Sequence, residues 1–460
     1  MSEPAHASRS TTDWQALDAA HQLHPFSDHN VLAQRGARII VRGEGIYLWD
    51  SEGNKFLDGL AGIGNVALGY GREELIEAAA SQMRELAFYN HHFGMVTTPS
   101  IELAEKLAEL TPNGLNHVFF ASSGSEALDT VVRLARHYWQ LKGEPERKIL
   151  IGRDLAYHGS TMASISLGGM PHMQDQEDLP LPFFEHVASP YWYGNGGDMT
   201  LEEYGLVAAR SLEDKIKEVG AHRVAAFVAE PVQGAGGLRI PPATYWPEIR
   251  RICRDYGILF VADEVLCGFG RTGNWFGCQT YDLEPDMLTF AKAVTSGYVP
   301  LSGVMIGERV SSALFEAGGA FYHGFTNSGH PVACAVALEN IRIIEDEKII
   351  EQVREDTGPY LAEKMGALAA HPLVGEVRSV GLLGAIELVS NKDTRERFDQ
   401  NLKVGETYNE HCIKLGLAMR EIGDTILFAP PLITTREQID EMADIAARAL
   451  NITAAEFNLA

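Results

Sequence analysis

In the middle of the chain, short apolar runs alternate with stretches of helical period. From Val118 to about Met305, six runs have the length and content of buried strands: Val-Phe-Phe, Lys-Ile-Leu-Ile-Gly, Ala-Ala-Phe-Val-Ala-Glu, Ile-Leu-Phe-Val-Ala-Asp, Met-Leu-Thr-Phe-Ala and Ser-Gly-Val-Met-Ile-Gly. Apolar strands that alternate with helices are typical of a mostly parallel sheet covered by helices on both faces. The pattern therefore predicts an α/β fold in which this sheet forms a large domain.

The two ends of the chain follow other patterns. Residues 37–57 alternate between polar and apolar and contain Gly-bearing turns, which predicts a small antiparallel meander. Helical period predicts helices at residues 14–23, 73–86, 100–110 and from His330 to about Ile344. Residues 180–199 are rich in aromatic residues, proline and glycine, and we expect them to run over the surface.

Alternation resumes after the last of these helices. Residues 374–388 predict strands, and the last hundred-odd residues have the pattern of a small α+β unit. We therefore predict three parts, which are an N-terminal segment that contributes to a small domain (1–60), a large domain (61–340) and a C-terminal small domain (341–460).

Composition and charge exclude several kinds of partner. The chain has 38 basic and 62 acidic side chains, and its formal charge of -24 disfavours binding to nucleic acid or to an anionic membrane. Its five cysteines show no metal-ligand spacing, so we predict no metal site and a reducing compartment. The N-terminus lacks the pattern of a signal peptide, and no apolar run reaches transmembrane length. We expect a soluble, cytoplasmic protein.

Two predicted strands end on residues that can carry chemistry. Asp263 closes one run, and Lys292 follows the next run between small and apolar neighbours. Ligands bind at the carboxyl ends of parallel strands. A desolvated lysine and a carboxylate are what a pyridoxal phosphate enzyme needs, because the lysine bonds to the cofactor and the carboxylate keeps the pyridine nitrogen protonated. Considered alone, Asp263 could equally cap a helix and Lys292 could extend its amine to solvent.

Two further segments fit the same cofactor. Gly124 and Ser125 are predicted to begin a helix directly after a strand, where N–H groups and a hydroxyl form a phosphate site. Serine followed by glutamate is also an ordinary capping pattern. Tyr157 follows the next strand, where its ring could stack on a flat cofactor or simply pack in the core.

In this order, the segments closely resemble those of the class III aminotransferases, which are pyridoxal phosphate enzymes of fold type I. The resemblance extends from about Asp13 to Leu450, and its motifs are Ser-Gly-Ser-Glu-Ala (123–127), Tyr-His-Gly (157–159), Ala-Glu-Pro-Val-Gln-Gly-Ala-Gly-Gly (229–237), Asp-Glu-Val-Leu-Cys-Gly-Phe-Gly-Arg (263–271), Ala-Lys (291–292) and His-Gly-Phe-Thr-Asn-Ser-Gly-His-Pro (323–331). It implies a mostly parallel seven-stranded sheet in a large domain, with a small α+β domain built from both termini.

The resemblance also implies roles for individual residues. Lys292 would bond to pyridoxal 5'-phosphate, and Asp263 would pair with its ring nitrogen. The other expected cofactor contacts are the phosphate (Gly124, Ser125), the two ring faces (Tyr157, Val265), the surroundings of the ring (His158, Glu230) and the phosphate of the neighbouring subunit (Thr326). A shared active site implies a homodimer, which could pair into tetramers.

The branch of the family is indicated by residues that are missing. The Gln-Gly-Ala segment at 233–235 lacks the glutamate that is common in branches using 2-oxoglutarate, and Leu266 stands where those branches often have glutamine. The chain is more similar to the ω-amino acid or amine:pyruvate branch. Arg420 is then expected to bind the carboxylate of the 2-oxo acid acceptor, although a surface arginine would look the same in the sequence. This implies transfer of an amino group from an amine or ω-amino acid to pyruvate, giving alanine.

The expected substrate pocket departs from the family pattern near the N-terminus. Gly64 stands where amine:pyruvate relatives commonly have tryptophan, and His92 stands where they often have a second phenylalanine beside Phe93. The full set of expected pocket residues is Ile63, Gly64, His92, Phe93, Tyr157, Ala235 and Arg420. We expect room for bulkier or more polar donors, unless neighbouring loops fill the space.

Two other functions would suit the same residues. A decarboxylase, racemase or aminomutase on this fold would keep every cofactor contact and differ only in how the substrate is oriented. A non-catalytic relative could retain the fold as a binding protein, although the intact Lys292 and Asp263 argue against it.

Overall fold

The computed structural model describes residues 9–112, 114–176 and 178–458. The strands within them are β1 (Ile40–Glu44), β2 (Tyr47–Asp50), β3 (Lys55–Asp58), β4 (Leu115–Ala121), β5 (Ile149–Arg153), β6 (Phe184–Val187), β7 (Val224–Ala229), β8 (Leu259–Asp263), β9 (Met287–Phe290), β10 (Ser302–Gly307), β11 (Val374–Val380), β12 (Leu383–Leu388), β13 (Leu417–Ala418), β14 (Arg420–Ile422) and β15 (Thr425–Phe428).

The α-helices of the same residues begin with a short N-terminal pair and end with a long C-terminal helix. They are α1 (Thr11–His21), α2 (His29–Arg35), α3 (Ala61–Gly64), α4 (Glu73–Leu86), α5 (Thr98–Leu110), α6 (Gly124–Leu141), α7 (Met162–Leu167), α8 (Pro171–Gln174), α9 (Trp192–Asn195), α10 (Leu201–Val219), α11 (Tyr245–Asp255), α12 (Gly277–Thr280), α13 (Glu308–Ala317), α14 (Pro331–Asp346), α15 (Ile349–Gln352), α16 (Gly358–Leu368), α17 (Val404–Lys414) and α18 (Arg436–Glu456). The helices predicted at 73–86 and 100–110 correspond to α4 and α5.

The central element is a seven-stranded sheet of order β4-β10-β9-β8-β7-β5-β6. Only β10 among these strands runs antiparallel to its neighbours, so the predicted mostly parallel seven-stranded sheet is confirmed. In β7, Ala226 and Val228 belong to the hydrophobic core on one side, and Phe227 and Ala229 belong to the core on the other. Both faces of the sheet are therefore covered at β7, which explains why the central strands are mostly apolar.

The strand directions decide where polar groups can meet. Because β4 and β9 are both antiparallel to β10, they run in the same direction as each other and as β5, β7 and β8. The carboxyl ends of these five strands therefore lie along one edge of the sheet.

One prediction for the large domain was wrong. Residues 180–199 were expected to run over the surface, but Phe184–Val187 forms β6, the edge strand of the sheet, and pairs in parallel with β5. Its ends are buried, while Glu185 and His186 between them are only partly covered. A four-residue strand with two polar residues at a sheet edge gives too short an apolar run to be recognised from the pattern.

The predicted meander is confirmed, and a strand from the C-terminal part of the chain pairs with it. β1, β2 and β3 pair antiparallel, and β13 adds to β3 in parallel through Leu417 and Ala418. A third sheet has the order β11-β12-β15-β14 and is antiparallel throughout. Both termini thus contribute to the structure outside the large sheet, as expected. The boundaries at residues 60 and 340 stay a prediction.

Candidate active site

Polar residues from several strand ends meet at the carboxyl edge of the large sheet. Asp263 is the last residue of β8, and Glu230 follows the last residue of β7. Lys292 stands two residues after the end of β9, and Gly124 begins α6 shortly after β4. Because these strands run the same way, chain segments far apart in sequence deliver a lysine, two carboxylates and a helix N-terminus to one crevice.

Asp263 is held by three hydrogen bonds. Its Oδ2 accepts from His158 Nδ1 at 2.7 Å, and its Oδ1 accepts from the Thr289 hydroxyl at 3.0 Å and from the Val265 N–H at 3.1 Å. Because the carboxylate is the acceptor, Nδ1 of His158 carries the proton. The side chains of Asp263 and His158 are both buried, so the carboxylate has one orientation.

Lys292 is partly buried and has a strained backbone conformation. Burial lowers the pKa of its amine, and the negative charges of Asp263 and Glu230 oppose this shift only in part. Its φ of +50° lies in the left-handed region, which a non-glycine residue occupies at a cost of about 1–3 kcal/mol. Such strain clusters at functional sites. A lysine with a lowered pKa has its amine available as a nucleophile and base.

Glu230 lies beside this pair and is itself buried. Burial raises the pKa of its carboxyl, while electrostatic interactions with His158 and Arg153 oppose the shift. Its Oε2 accepts from the Gly234 N–H at 2.7 Å, and its backbone carbonyl accepts from Arg153 Nη2 at 2.6 Å.

The N-terminus of α6 has the geometry of an anion site. Ser123 is the N-cap and accepts from the Glu126 N–H through its hydroxyl at 3.2 Å. Among the described residues, the N–H groups of Gly124 and Ser125 have no backbone acceptor. The Ser125 hydroxyl accepts from the Ser160 N–H at 3.0 Å. Free N–H groups at the start of a long helix favour a phosphate.

The residues expected to sandwich the cofactor ring lie around this helix end. A Cβ added at Gly124 would lie 3.4 Å from the methyl groups of Val265, so glycine leaves space in front of that side chain. Tyr157 is half-buried, contacts Ser160 Oγ through its hydroxyl at 3.1 Å, and meets the ring of Phe26 edge to face at 6.3 Å.

The expected substrate residues divide into two groups. Gly64 is buried with φ +68°, and a Cβ there would lie 2.6 Å from Leu266 Cδ1. Ala235 and Arg420 are half-buried. The positive charge of Arg420 contributes to the lowered pKa of the Lys292 amine. Among the described residues, Arg420 has no ion-pair partner. These residues border the crevice.

The second group faces outward in the single chain. Phe93 is 98% exposed, Ile63 is 56% exposed and Thr326 is exposed. His92 is half-buried and packs against Gly324, in the loop that carries Thr326. The structure therefore does not bring these residues to the crevice of their own chain, and their roles stay predictions.

Sequence reasoning missed Thr289, Leu266 and Phe26 as parts of the site. Thr289 was detectable, because it is the polar residue of an otherwise apolar strand, Met-Leu-Thr-Phe. Leu266 lies between Gly64 and Gly234, since a Cβ at either glycine would meet its methyl groups. Nothing local marks this contact or that of Phe26, because their partners are remote in sequence.

The class is that of the pyridoxal phosphate enzymes, because a lysine with a lowered pKa, a histidine-supported aspartate and a free helix N-terminus meet at one edge of an α/β sheet. The family model of class-III aminotransferases matches residues 30–450. A putrescine--pyruvate aminotransferase from Pseudomonas aeruginosa is 56% identical over 445 residues, which cover 97% of each chain. The chain belongs to the class III aminotransferase family.

Solved structures agree with this assignment. An (S)-enantioselective omega-transaminase from Thermomicrobium roseum superimposes with a TM-score of 0.94 and 43% identity, over 97% of this chain and 99% of the other. The omega transaminase of Pseudomonas jessenii in complex with PMP gives a TM-score of 0.95 and 40% identity, with the same two coverages. The enzyme is therefore an aminotransferase with pyridoxal 5'-phosphate as its cofactor. No helix within the described ranges is long and apolar enough to cross a membrane.

The residues of the crevice fit this cofactor. Buried Glu230 Oε1 and His158 Nε2 have no hydrogen-bond partner among the described residues, so both can serve a bound polar group. The free N–H groups of α6 suit a phosphate, and Asp263 retains acceptor capacity for a ring N–H.

Proposed function

We propose that this enzyme transfers an amino group from an amine, with putrescine-type diamines as the preferred donors, to pyruvate. The identity of 56% with a putrescine--pyruvate aminotransferase over nearly the whole chain is the observation that carries this proposal. The half-buried Arg420, which has no ion pair in the described part of the chain and lies near Lys292, supports an acceptor that bears a carboxylate.

Lys292 is the proposed acid and base. When bound, the cofactor supplies an electron sink that stabilises negative charge on the donor carbon. Because burial lowers the pKa of Lys292, its amine can accept the proton from that carbon as a base and then donate it again as an acid. Asp263, oriented by His158, Thr289 and Val265, holds a proton on the ring nitrogen.

Arg420 is the proposed anchor of the acceptor. A guanidinium binds a carboxylate through two parallel hydrogen bonds, so it can orient pyruvate with its carbonyl carbon toward Lys292. Diamine donors lack a carboxylate and do not need this contact. Donor and acceptor therefore use the same catalytic lysine but different side chains of the pocket.

Gly64 and His92 are the proposed determinants of donor choice. Leu266 lies where a side chain at residue 64 would project, and in a dimer the half-buried imidazole of His92 would add polarity to the crevice of the second copy. Both features suit a donor with a second polar group better than an all-apolar pocket would.

We also propose a homodimer in a reducing, cytoplasmic environment. Large apolar side chains are exposed in the single chain at residues 88–96 and nearby, and Phe93 is 98% exposed. A second copy would cover them and could bring Thr326 of the partner subunit to the phosphate site. All five cysteines are buried and free, which suits a reducing compartment.

The test is a donor and acceptor screen on the holoenzyme. We expect putrescine with pyruvate to yield alanine, with ping-pong kinetics, and putrescine with 2-oxoglutarate to yield at least tenfold less product per unit time. Preferred use of 2-oxoglutarate would refute the acceptor assignment. Turnover of γ-aminobutyrate at least tenfold above that of putrescine would refute the donor assignment.

A further inference from the structure

Arg378 shares a transverse row of the small sheet with Arg420. Arg378 in β11 pairs with Ala385 in β12, and Ala385 pairs with Leu427 in β15. Leu427 in turn pairs with Arg420 in β14. Residues paired directly across antiparallel strands project to the same face of a sheet. Both arginines therefore lie on one face, three strand spacings or roughly 14 Å apart.

This face packs against the loops of the cofactor site. The residues in the middle of the row, Ala385 and Leu427, are buried in a hydrophobic cluster that joins the sheet to the large domain. Its buried members are Val232, Leu238, Cys267, Leu383, Ala385, Leu427 and Ala429, and Leu266 packs against it. The sheet that carries Arg420 is thus seated on the segments that follow Glu230 and Asp263.

Arg378 connects the small sheet to the loop of residues 233–239 through hydrogen bonds. Its Nε donates to the Leu238 carbonyl at 3.0 Å, and its Nη2 donates to the Gly237 carbonyl at 2.8 Å. Its Nη1 donates to Glu387 Oε2 at 2.8 Å and also to Glu376. The guanidinium is buried, so each of these bonds is made without competition from water.

The loop that Arg378 binds is itself tied to the catalytic edge. Gln233 and Arg239 close it with two backbone hydrogen bonds, of 3.1 and 2.8 Å. Its Gly234 N–H donates to the carboxylate of Glu230 at 2.7 Å. Hydrogen bonds therefore connect the Glu230 carboxylate to the loop and the loop to Arg378, and the strand pairing connects Arg378 to Arg420.

We propose that Arg378 is a positioning residue for the acceptor carboxylate, because it fixes one end of the sheet row whose other end presents Arg420 to the crevice. This inference rests on the proposed role of Arg420. Arg378 touches neither substrate nor cofactor. It acts by preventing the small sheet from sliding over the 233–239 loop, so that Arg420 stays at a fixed distance from Lys292. Donors without a carboxylate do not depend on it.

The test compares two amino donors in single-turnover half-reactions of the holoenzyme, followed by the cofactor's absorbance. L-Alanine carries the carboxylate that Arg420 would bind, and putrescine does not. Arg378→Lys keeps the charge, but a single ammonium cannot serve two carbonyls and two carboxylates. We expect the second-order rate constant for L-alanine to fall at least tenfold and that for putrescine to change less than twofold. An equal fall for both donors, or no change for either, would overturn the proposal.

Arg397→Lys is the matched control. Arg397 also contacts Glu387, at 3.2 Å, but it is half-exposed and makes no hydrogen bond to the described residues 233–239, so the ratio of the two rate constants should stay within twofold of wild type. If Arg378→Lys does not fold, Glu376→Gln weakens the same guanidinium contact, and the ratio must shift in the same direction by at least threefold.

Arg420→Ala separates this inference from the proposed function. If that variant leaves the ratio of alanine to putrescine unchanged, Arg420 is not the carboxylate anchor and the proposed function fails at that point. If it changes the ratio and Arg378→Lys does not, only the positioning role is overturned. In Arg378→Lys/Arg420→Ala, the alanine rate should equal that of Arg420→Ala alone, because residues that act through one contact are not additive.

Discussion

At the scale of single residues, the site depends on polar groups that are buried and fixed. Asp263 is oriented by three donors, and the amine of Lys292 has a pKa lowered by burial. Such preorganised groups need no reorganisation during the reaction, which is why single substitutions at them should have large effects on rate.

Replacement of the lysine should separate chemistry from binding. We expect Lys292→Ala to abolish turnover, because the variant loses the amine that moves the proton, while cofactor is still bound noncovalently through the helix N-terminus and Asp263. Turnover by coupled alanine assay and cofactor content by absorbance after gel filtration measure the two effects. Transfer above one per cent of the wild-type rate would contradict the role of Lys292.

Replacement of the aspartate tests charge against structure. Asp263→Asn keeps the shape but removes the negative partner of the ring nitrogen, so we expect kcat to fall on the order of a hundredfold or more. Thr289→Val is the control, since it removes one hydrogen bond to Oδ1 and leaves the charge. The control should lose less than tenfold, and an Asp263→Asn enzyme within threefold of wild type would make Asp263 merely structural.

At the scale of elements, short turns shape the donor pocket. α3 contains a left-handed turn, with Gly62, Ile63 and Gly64 all at positive φ. This turn places Gly64 against Leu266, directly after the residue expected to cover the cofactor ring. Glycine adopts such a conformation without strain, and its lack of a Cβ lets Leu266 lie this close to residue 64.

A bulky side chain at residue 64 should change donor choice. In Gly64→Trp the indole adds roughly 150–250 Å² of apolar surface, and Leu266 has to move. We expect the ratio of kcat/KM for putrescine over a bulky arylalkylamine to rise by more than about tenfold, or 1.4 kcal/mol. Gly64→Ala carries the same backbone strain without the ring, and it should leave the ratio within threefold. Equal ratios in both variants would show that residue 64 does not line the pocket.

At the scale of the whole molecule, the single chain leaves apolar surface uncovered next to its active-site loops. Phe93 is almost fully exposed, Tyr322 is 87% exposed, and Thr326 lies outside the crevice of its own chain. Exposed apolar patches of this kind mark interaction sites. The proposed partner is a second copy of the chain, because Thr326 of the partner subunit would then also complete the phosphate site.

A charged side chain in this exposed apolar surface should therefore dissociate the proposed dimer. Burying a phenylalanine contributes about 1.5–3 kcal/mol, and a dimer contains two copies of the residue. We expect Phe93→Asp to raise the dimer dissociation constant at least tenfold and to weaken cofactor retention, both measurable by sedimentation and absorbance. Val207→Asp, on the outer helix α10, substitutes another exposed apolar residue and should change neither. A Phe93→Asp protein with unchanged dimer affinity would refute this interface.

The sequence by itself determined six of the seven strands of the large sheet, the meander, and the placement of Asp263, Glu230, Lys292 and Gly124 at strand and helix ends. These follow from local periodicity together with the rule that parallel strands present their carboxyl ends at one edge. Local pattern suffices there because the buried central strands are mostly apolar runs that end at or next to these polar residues.

Only the tertiary structure decided which remote groups meet. The bond between His158 and Asp263 joins positions 105 residues apart, β6 depends on pairing at an edge, and the row from Arg378 to Arg420 depends on the register of four strands. Register and side-chain contact are set by the packing of distant segments, and no local pattern encodes them. The exposure of Phe93 and Thr326 has the same origin, because burial of a residue is a property of the assembled surface rather than of its neighbours in sequence.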